Sequence, residues 1–312
     1  MKFPTGMLAL SALRPFAGRA LLVLGTLLFS PSAHAAKERL VISSGSKGGN
    51  YLEVAELIAE YLRLNLDGVE VEVRESSGSV ENVKRIEEGV ADLGLLQNDT
   101  PGNNSLRTLA PLYEEVLHLL ARKDLNATSL HDLRGKRIAV GAKGSGTEPM
   151  VRELLAYHGL SYDDVSPAFI TSSEAADKLL AGDLDAMAFI SGIGSPVCRK
   201  LINSGKMGFV SIGSADLEGG QVAGFKYRYP YANPVIIPEM AYPSSSAGHR
   251  GEPDSPVATL SVEAILCCRK DLPDELAQQI VAAIFDNQAG MARKRTLFAQ
   301  MRNPLVGPNL QF

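Results

Sequence analysis

The sequence contains few of the side chains from which catalytic and metal centres are usually built. Its 312 residues include three cysteines and five histidines, and the histidines are scattered along the chain. No cysteine or histidine spacing is typical of a zinc site, and neither a Ser-His-Asp order nor a Walker phosphate loop is present. We therefore predict no catalytic residue, no cofactor and no metal ligand.

The three cysteines, Cys198, Cys267 and Cys268, leave at least one thiol free because their number is odd. Adjacent cysteines rarely bridge each other, since the peptide between them would be strained. Cys267 and Cys268 end the apolar run 264–268, which is typical of a buried strand. We predict that both pack in the core as small hydrophobic side chains.

An excess of positive charge is also missing. The formal net charge is −4 at pH 7, which argues against nucleic acid as a partner. Long apolar runs are missing too. The run 20–29 is too short to span a bilayer, which takes about 20 residues, and no later run is long enough to do so.

The N-terminal segment has the pattern of a secretory signal peptide. Three basic residues and no acidic residue precede its apolar run. Ala33-His34-Ala35 places small residues at the two positions that signal peptidase recognises. We predict export to the periplasm with cleavage after Ala35; an uncleaved membrane anchor is the alternative. Residues 36–312 would carry 28 basic and 35 acidic side chains, a net charge of −7.

A glycine- and serine-rich turn lies near the predicted start of the exported chain. Residues 43–51 read Ser-Ser-Gly-Ser-Lys-Gly-Gly-Asn-Tyr, between an apolar run at 40–42 and helical apolar spacing over 52–62. A strand, a turn and a helix start in this order form an anion cradle, because free N–H groups and the helix dipole point at the turn. A tight turn without a ligand is the alternative. Lys47 would either add positive charge or extend into solvent.

Strands and helices alternate along the chain, which predicts an α/β fold with a mainly parallel sheet. Alternating apolar residues at 69–73 indicate a second strand, and Ser79 has the right type and position to cap the next helix. The run 91–96 indicates a third strand, with Gln97 at its carboxyl end. Because ligands of open α/β sheets bind at this end of the strands, we expect the first turn, residues 76–79 and Gln97 to converge on one rim.

A second turn of similar composition occurs further along the chain. Residues 141–148 read Gly-Ala-Lys-Gly-Ser-Gly-Thr-Glu and connect an apolar run at 138–140 with a predicted helix over 149–158. Segment 182–192 also repeats the order of segment 89–96, in which glycine and aspartate precede an apolar strand. Two such cradles in different halves of the chain predict one ligand bound between two lobes of related design.

Together these segments resemble the TAXI solute receptors, which are the extracytoplasmic binding proteins of TRAP transporters. The resemblance extends from about residue 39 to about residue 290 and rests on five motifs in the family's order. They are the turn at 44–51, segment 77–82, Asp92 with Gln97, segment 132–137 and the turn at 144–148. The first turn departs from the family pattern, which bears on the ligand more than on the fold. The departing positions are Ser46, Lys47, Asn50 and Glu53.

The resemblance implies a type II periplasmic binding protein, an α/β fold of two lobes with a hinge and an interlobe cleft. The first lobe would comprise residues 36–122 and 220–312, and the second residues 123–219. The protein would capture a small anionic or zwitterionic solute, such as a glutamate-like amino acid or an organic acid, for TRAP membrane permease subunits. The residues expected to bind the solute are Ser44, Ser46, Asn50, Tyr51, Ser77, Gln97, Ser145, Gly146, Thr147 and Ser191.

Two other functions remain open from the sequence. A sensing receptor would present the solute to a membrane signalling partner, and the sequence does not separate this function from uptake. A transferase-type enzyme of the same fold would use the two turns to hold phosphate. Neither turn contains a general base or a metal cluster, which argues against the enzyme.

Overall fold

The computed structural model describes residues 38–214, 216–245 and 251–302. The predicted signal peptide and its cleavage site lie outside the described residues. Within the described ranges, no helix is both long enough and apolar enough to cross a membrane.

Strands and helices alternate along the described residues, with short 3-10 turns between some of them. The first part of the chain forms β1 (Glu38–Ser43), α1 (Asn50–Asn65), β2 (Val69–Arg74), α2 (Ser79–Glu87), β3 (Leu93–Gln97) and β4 (Arg107–Arg122). The middle part forms β5 (Arg137–Ala139), α3 (Thr147–Tyr157), β6 (Ser166–Ala168), α4 (Ser172–Ala181), β7 (Ala186–Ser191), α5 (Pro196–Asn203) and β8 (Met207–Phe209). The last part forms α6 (Gln221–Arg228), β9 (Asn233–Ile237), β10 (Tyr242–Pro243), β11 (Gly251–Glu252), β12 (Val257–Cys268), α7 (Asp274–Asp286) and α8 (Gln288–Lys294).

One sheet connects most of these strands, in the order β2-β1-β3-β12-β4-β7-β5-β6, with β8 also paired to β4 and β9 to β12. β1 is parallel to β2 and β3, and β5 is parallel to β6 and β7. The centre is antiparallel, because β12 runs against β3, β4 and β9, and β4 runs against β7 and β8. The expectation of a mainly parallel sheet is therefore wrong at the centre. The two long central strands are not joined to their neighbours by the helical crossovers that make strands parallel.

The central strands β4 and β12 each contribute side chains to more than one hydrophobic core. Leu112 of β4 and Leu266 of β12 pack in a first core with side chains of α1 and α7. Leu119 of β4 and Leu260 of β12 pack in a second core with side chains of α3. Both strands therefore extend from the first core into the second.

The predicted packing of the cysteines is confirmed. Cys267 and Cys268 lie at the end of β12 and are buried, and Cys198 is buried in α5. All three thiols are free. Burial raises the pKa of each thiol, so these cysteines behave as small apolar side chains and not as thiolates.

The predicted N-cap role of Ser79 is wrong. α2 begins at Ser79, and Gly78 occupies the cap position with φ 125° and ψ −153°, a conformation that side chains with a Cβ rarely adopt. Ser79 Oγ instead accepts a hydrogen bond from the Gln97 backbone N–H at 3.1 Å. The hydroxyl therefore ties the start of α2 to the end of β3.

Asn82, one turn into α2, connects the strand ends beneath the first turn. Its side-chain amide donates to the backbone oxygens of Ser44 and Leu95, both at 2.7 Å. Its Oδ1 accepts from the hydroxyls of Ser43 and Ser76, both at 2.6 Å. Since Asn82 is fully buried, these four bonds satisfy its amide completely and fix the loops that follow β1 and β2.

We expect Asn82→Ala to lower the free energy of unfolding by about 3 kcal/mol, because the change leaves several buried polar groups without a partner. Urea unfolding followed by circular dichroism measures the difference. Asn65→Ala is the matched control: Asn65 is exposed and its amide donates only to the Tyr61 backbone oxygen. Equal unfolding midpoints for the two variants would contradict the role given to Asn82.

Candidate ligand-binding site

A cleft between the two lobes opens to solvent. Its walls come from the two glycine-rich turns, the end of β3, the middle of β4 and the end of β7. Nine of the ten residues predicted from the sequence line it. They are Ser46, Asn50, Tyr51, Ser77, Gln97, Ser145, Gly146, Thr147 and Ser191. Their contact with a ligand stays a prediction.

Ser44 is the predicted site residue that lies outside the cleft lining. It is fully buried, and its hydroxyl donates to the Arg74 backbone oxygen at 2.9 Å. The Ser44 N–H also donates to the same oxygen at 2.9 Å. Ser44 thus anchors the first turn to the end of β2.

Five helices begin at the cleft. The first residues of α1, α2, α3 and α4 line it, and so does Ser195, which precedes α5. A helix start leaves N–H groups without intrahelical partners and carries partial positive charge. No lysine, arginine or histidine is among the described residues that line the cleft. An anionic group would therefore be held by backbone N–H groups and hydroxyls.

The three charged side chains of the turns, Lys47, Lys143 and Glu148, lie outside this lining. Lys47 is exposed, and Lys143 Nζ stands 5.6 Å from the centre of the Phe169 ring. In the described part of the chain, no cluster of three or more His, Cys, Asp or Glu side chains could hold a metal ion.

Glu115, in the middle of β4, lines the cleft and was not predicted from the sequence. It is 2% exposed, and its Oε2 accepts a hydrogen bond from the Tyr51 hydroxyl at 2.7 Å. Burial raises the pKa of Glu115 to about 8, opposed by the Tyr51 hydrogen bond and reinforced by Asp99. At pH 7 the carboxyl of the ligand-free protein is therefore mostly protonated. The one sequence signal was an acidic pair inside an otherwise apolar run.

Two buried polar atoms of the cleft residues have no hydrogen-bond partner. They are Gln97 Oε1, at the end of β3, and Ser145 Oγ, in the second turn. Buried polar groups in proteins are nearly always paired with protein, water or ligand. Gln97 and Ser145 lie on different lobes, so a ligand between them would satisfy both.

The lobes contact each other around the cleft. The Glu81 N–H donates to the Gly144 backbone oxygen at 3.0 Å, and the Asn50 amide donates to the Ser191 hydroxyl at 3.0 Å. Arg295 donates to the Asn50 Oδ1 at 3.3 Å. Asn50 thus links the first lobe to the end of β7 and has both ends of its amide engaged.

The second-lobe wall combines hydroxyl side chains, among them Thr147, with an apolar surface. Thr147 Oγ1 accepts from the Ile190 N–H at 3.3 Å, which leaves its own proton free for another acceptor. Phe189 lines the cleft and stacks on His118, with ring centres 4.8 Å apart. His118 is fully buried, and burial lowers its pKa to about 4, so the ring is neutral.

The position of Phe189 is held by a hydrogen-bond chain behind the wall. His118 Nδ1 lies 2.8 Å from the Val116 backbone oxygen, which can only accept, so Nδ1 carries the proton. His118 Nε2 then accepts from the Tyr242 hydroxyl at 2.5 Å, and the Tyr242 oxygen accepts from the Gly194 N–H at 3.1 Å.

The fold is that of the type II periplasmic binding proteins, so the predicted fold class is confirmed. The protein is similar to a protein from Bordetella bronchiseptica RB50, with 19% identity over 87% of this chain and 78% of that one and a TM-score of 0.56. It is similar to the alkanesulfonate-binding protein SsuA from Xanthomonas axonopodis pv. citri bound to MOPS, with 18% identity, 85% and 80% coverage and a TM-score of 0.53. A third similar structure is the GluR0 ligand-binding core from Nostoc punctiforme in complex with L-glutamate, with 16% identity, 85% and 100% coverage and a TM-score of 0.50.

Residues 42–303 match the NMT1-like family, and the chain belongs to this family. Membership of the TAXI group stays a prediction.

We expect Gly146→Ala to weaken solute binding by about tenfold or more while leaving the lobes folded. The backbone at Gly146, with φ −75° and ψ −18°, accepts alanine. The added Cβ would overlap Gln97 Oε1 and lie 2.9 Å from Ser79 Oγ on the opposite lobe, so the lobes could not close fully.

Gly208→Ala is the matched control, because its Cβ would meet only the Lys123 side chain at an ordinary 3.5 Å. Isothermal titration against amino acids and organic acids measures the affinities. If Gly146→Ala bound the solute with wild-type affinity, the second turn would not be part of the binding site.

Proposed function

We propose that this protein is a periplasmic receptor that captures a small anionic or zwitterionic solute between its lobes and delivers it to a membrane transporter. The observation that carries this proposal is the convergence of five helix starts on one cleft that also contains unpartnered buried polar atoms. Such a cleft offers N–H groups and hydroxyls to a carboxylate or a similar anion. Closing around the solute would bring contacts from both lobes to it, which stabilises the closed state.

We infer further that the solute is an amino acid or an organic acid and that the transporter is of the TRAP type. This step is supported by the resemblance of the two turns and their neighbouring segments to TAXI receptors. That family's solutes include glutamate-like compounds. Genes for TRAP permease subunits beside this gene would support uptake, whereas a sensor-kinase gene would favour the alternative of a sensing receptor.

The proposed lobes are residues 36–122 with 220–312, and residues 123–219. Strands β4 and β12 each contribute to the cores of both lobes. This supports the proposal that the chain passes between the lobes twice. Val222 and Phe225 of α6 pack in the second core, which favours placing the return to the first lobe later, within β12. We therefore propose β4 and β12 as the hinge.

The proposed receptor is not an enzyme. General acid–base catalysis needs a pair of proton-transfer groups with matched pKa values at the substrate. Glu115 is the one carboxyl among the described residues that line the cleft, and its hydrogen-bond partner is the Tyr51 hydroxyl. A transferase of the same fold is the less favoured alternative.

We expect Gln97→Ala to weaken solute binding about tenfold or more, since losing a buried hydrogen-bond partner costs about 1–3 kcal/mol. A thermal-shift screen of amino acids and organic acids would identify the solute, and titration calorimetry would give the affinities. Gln279→Ala on the exposed face of α7 is the control. A loss of stability in Gln97→Ala with unchanged affinity would assign Gln97 a structural role alone.

We expect the bound solute to be released chemically unchanged and the protein to become more compact when the solute binds. Small-angle scattering with and without solute measures the compaction, and mass spectrometry of the recovered solute tests for chemistry. Conversion of the solute at a rate proportional to protein concentration would contradict the receptor function and indicate that the protein is an enzyme.

The mature protein is expected to begin at Ala36, because a basic start, a short apolar run and an Ala-x-Ala site precede it. Intact-mass measurement of protein from the periplasmic fraction checks the cleavage site. Recovery of a chain that keeps residues 1–35 in the membrane fraction would instead identify an uncleaved anchor.

A further inference from the structure

The charges of the cleft lining are unusual for a site that would bind a dicarboxylate. Among the described residues, the lining contains one carboxyl, Glu115, and no cationic side chain. The helix starts can hold one carboxylate of a solute. A second carboxylate would have no cation to pair with and would approach the buried Glu115, which disfavours it.

The hydrogen bonds around Glu115 make it an acceptor. Ser79 hydrogen-bonds to the Tyr51 oxygen, and the Tyr51 hydroxyl donates to Glu115 Oε2 at 2.7 Å. Gln97 Oε1 is a buried acceptor without a hydrogen-bond partner in the described part of the protein. Ser79 also accepts from the Gln97 N–H, so the two acceptors belong to one connected group. Acceptors in this arrangement suit a solute with N–H donors.

The groups facing Glu115 do not supply a compensating positive charge. Tyr51 faces it from α1, Tyr113 precedes it on β4, and Asp99 follows β3; all three are neutral or acidic. On β12 its register partner is the uncharged Val262. An ionised Glu115 would therefore need a cation from the solute.

The second-lobe wall of the cleft carries an apolar patch beside several serine and threonine hydroxyls. Ile170, Phe189 and Val197 line it together with alanines of the second lobe. The stacking of Phe189 on the neutral His118 ring fixes the largest of these surfaces. Such a wall gains free energy by covering an apolar side chain of the solute and would lose it by desolvating a charge.

Resting on the receptor function proposed above, we propose that Glu115 is the specificity-determining residue of the cleft. Its carboxyl pairs with the amino group of the solute, the helix starts hold the single carboxylate, and the Phe189 wall covers the side chain. The solute class is then an amino acid with an apolar side chain, in preference to a dicarboxylate or an amine-free acid.

Proton release follows from this pairing. The free carboxyl has a raised pKa of about 8, so at pH 7 binding of an ammonium group must displace the Glu115 proton to solvent. Affinity for an amino acid then rises with pH between about 6 and 8, by up to about tenfold per unit. An acid without an amino group shows neither the release nor this rise.

Calorimetry of the mature protein tests the proposal with three probes: L-leucine, L-glutamate and 4-methylpentanoate, which is leucine without its amino group. Titrations at pH 7 in two buffers of different ionisation enthalpy count the protons released. We expect L-leucine to bind most tightly and to release close to one proton per solute.

Glu115→Gln keeps the side-chain volume and an oxygen that can accept from Tyr51, but removes the charge. We expect it to weaken L-leucine binding about 100-fold, to abolish proton release and to change 4-methylpentanoate binding by less than about threefold. Glu114→Gln, the same change at the adjacent exposed residue of β4, should leave all three affinities unaltered.

Tighter binding of L-glutamate than of L-leucine, or equal losses for L-leucine and 4-methylpentanoate in Glu115→Gln, would overturn this inference and leave the receptor function standing. Absence of binding by all three probes to the folded wild-type protein would also overturn it. The receptor function would then be judged by the wider thermal-shift screen.

Discussion

Two paired antiparallel strands, β4 and β12, connect the lobes. The candidate site lies where both strands pass from one lobe to the other. Each strand packs its two halves in different cores. Their midpoint therefore has a core on either side and an open cleft in front of it. Glu115 occupies this midpoint, opposite Val262 of β12. A movement of one lobe against the other would change the surroundings of this carboxyl more than those of residues within either core.

Among the described residues, the cleft lining presents five helix starts but no cationic side chain. Helix starts and glycine-rich turns supply the positive potential through backbone N–H groups, whose positions are set by the fold. Asn82 keeps those turns in place by bonding the backbone beneath them. A buried acid with a raised pKa adds a proton donor or, once ionised, a negative charge. Under the proposal made above, a zwitterion would complement both features, because its carboxylate would meet the helix starts and its ammonium group would meet Glu115.

Local sequence patterns predicted the turns and many of the residues that line the cleft. The glycine- and serine-rich segments precede helices as expected, and the residues at their centres line the cleft. The failures occurred where backbone conformation or strand pairing decided the outcome. Ser79 is not a cap because Gly78 takes that position in a conformation suited to glycine. Ser44 lies in the predicted turn but points at the Arg74 backbone, which a linear pattern does not reveal.

The sequence by itself determined the alternation of strands and helices, the two cradles and the apolar packing of the cysteines. These features depend on residues close together in the chain. The spacing of apolar residues indicates helices and strands, and glycine and serine indicate turns. Tertiary structure alone decided the antiparallel centre of the sheet and the role of Glu115. Its partner Tyr51 is 64 residues away, and its raised pKa comes from burial by segments distant in sequence. Such long-range desolvation leaves no mark in the residues beside it.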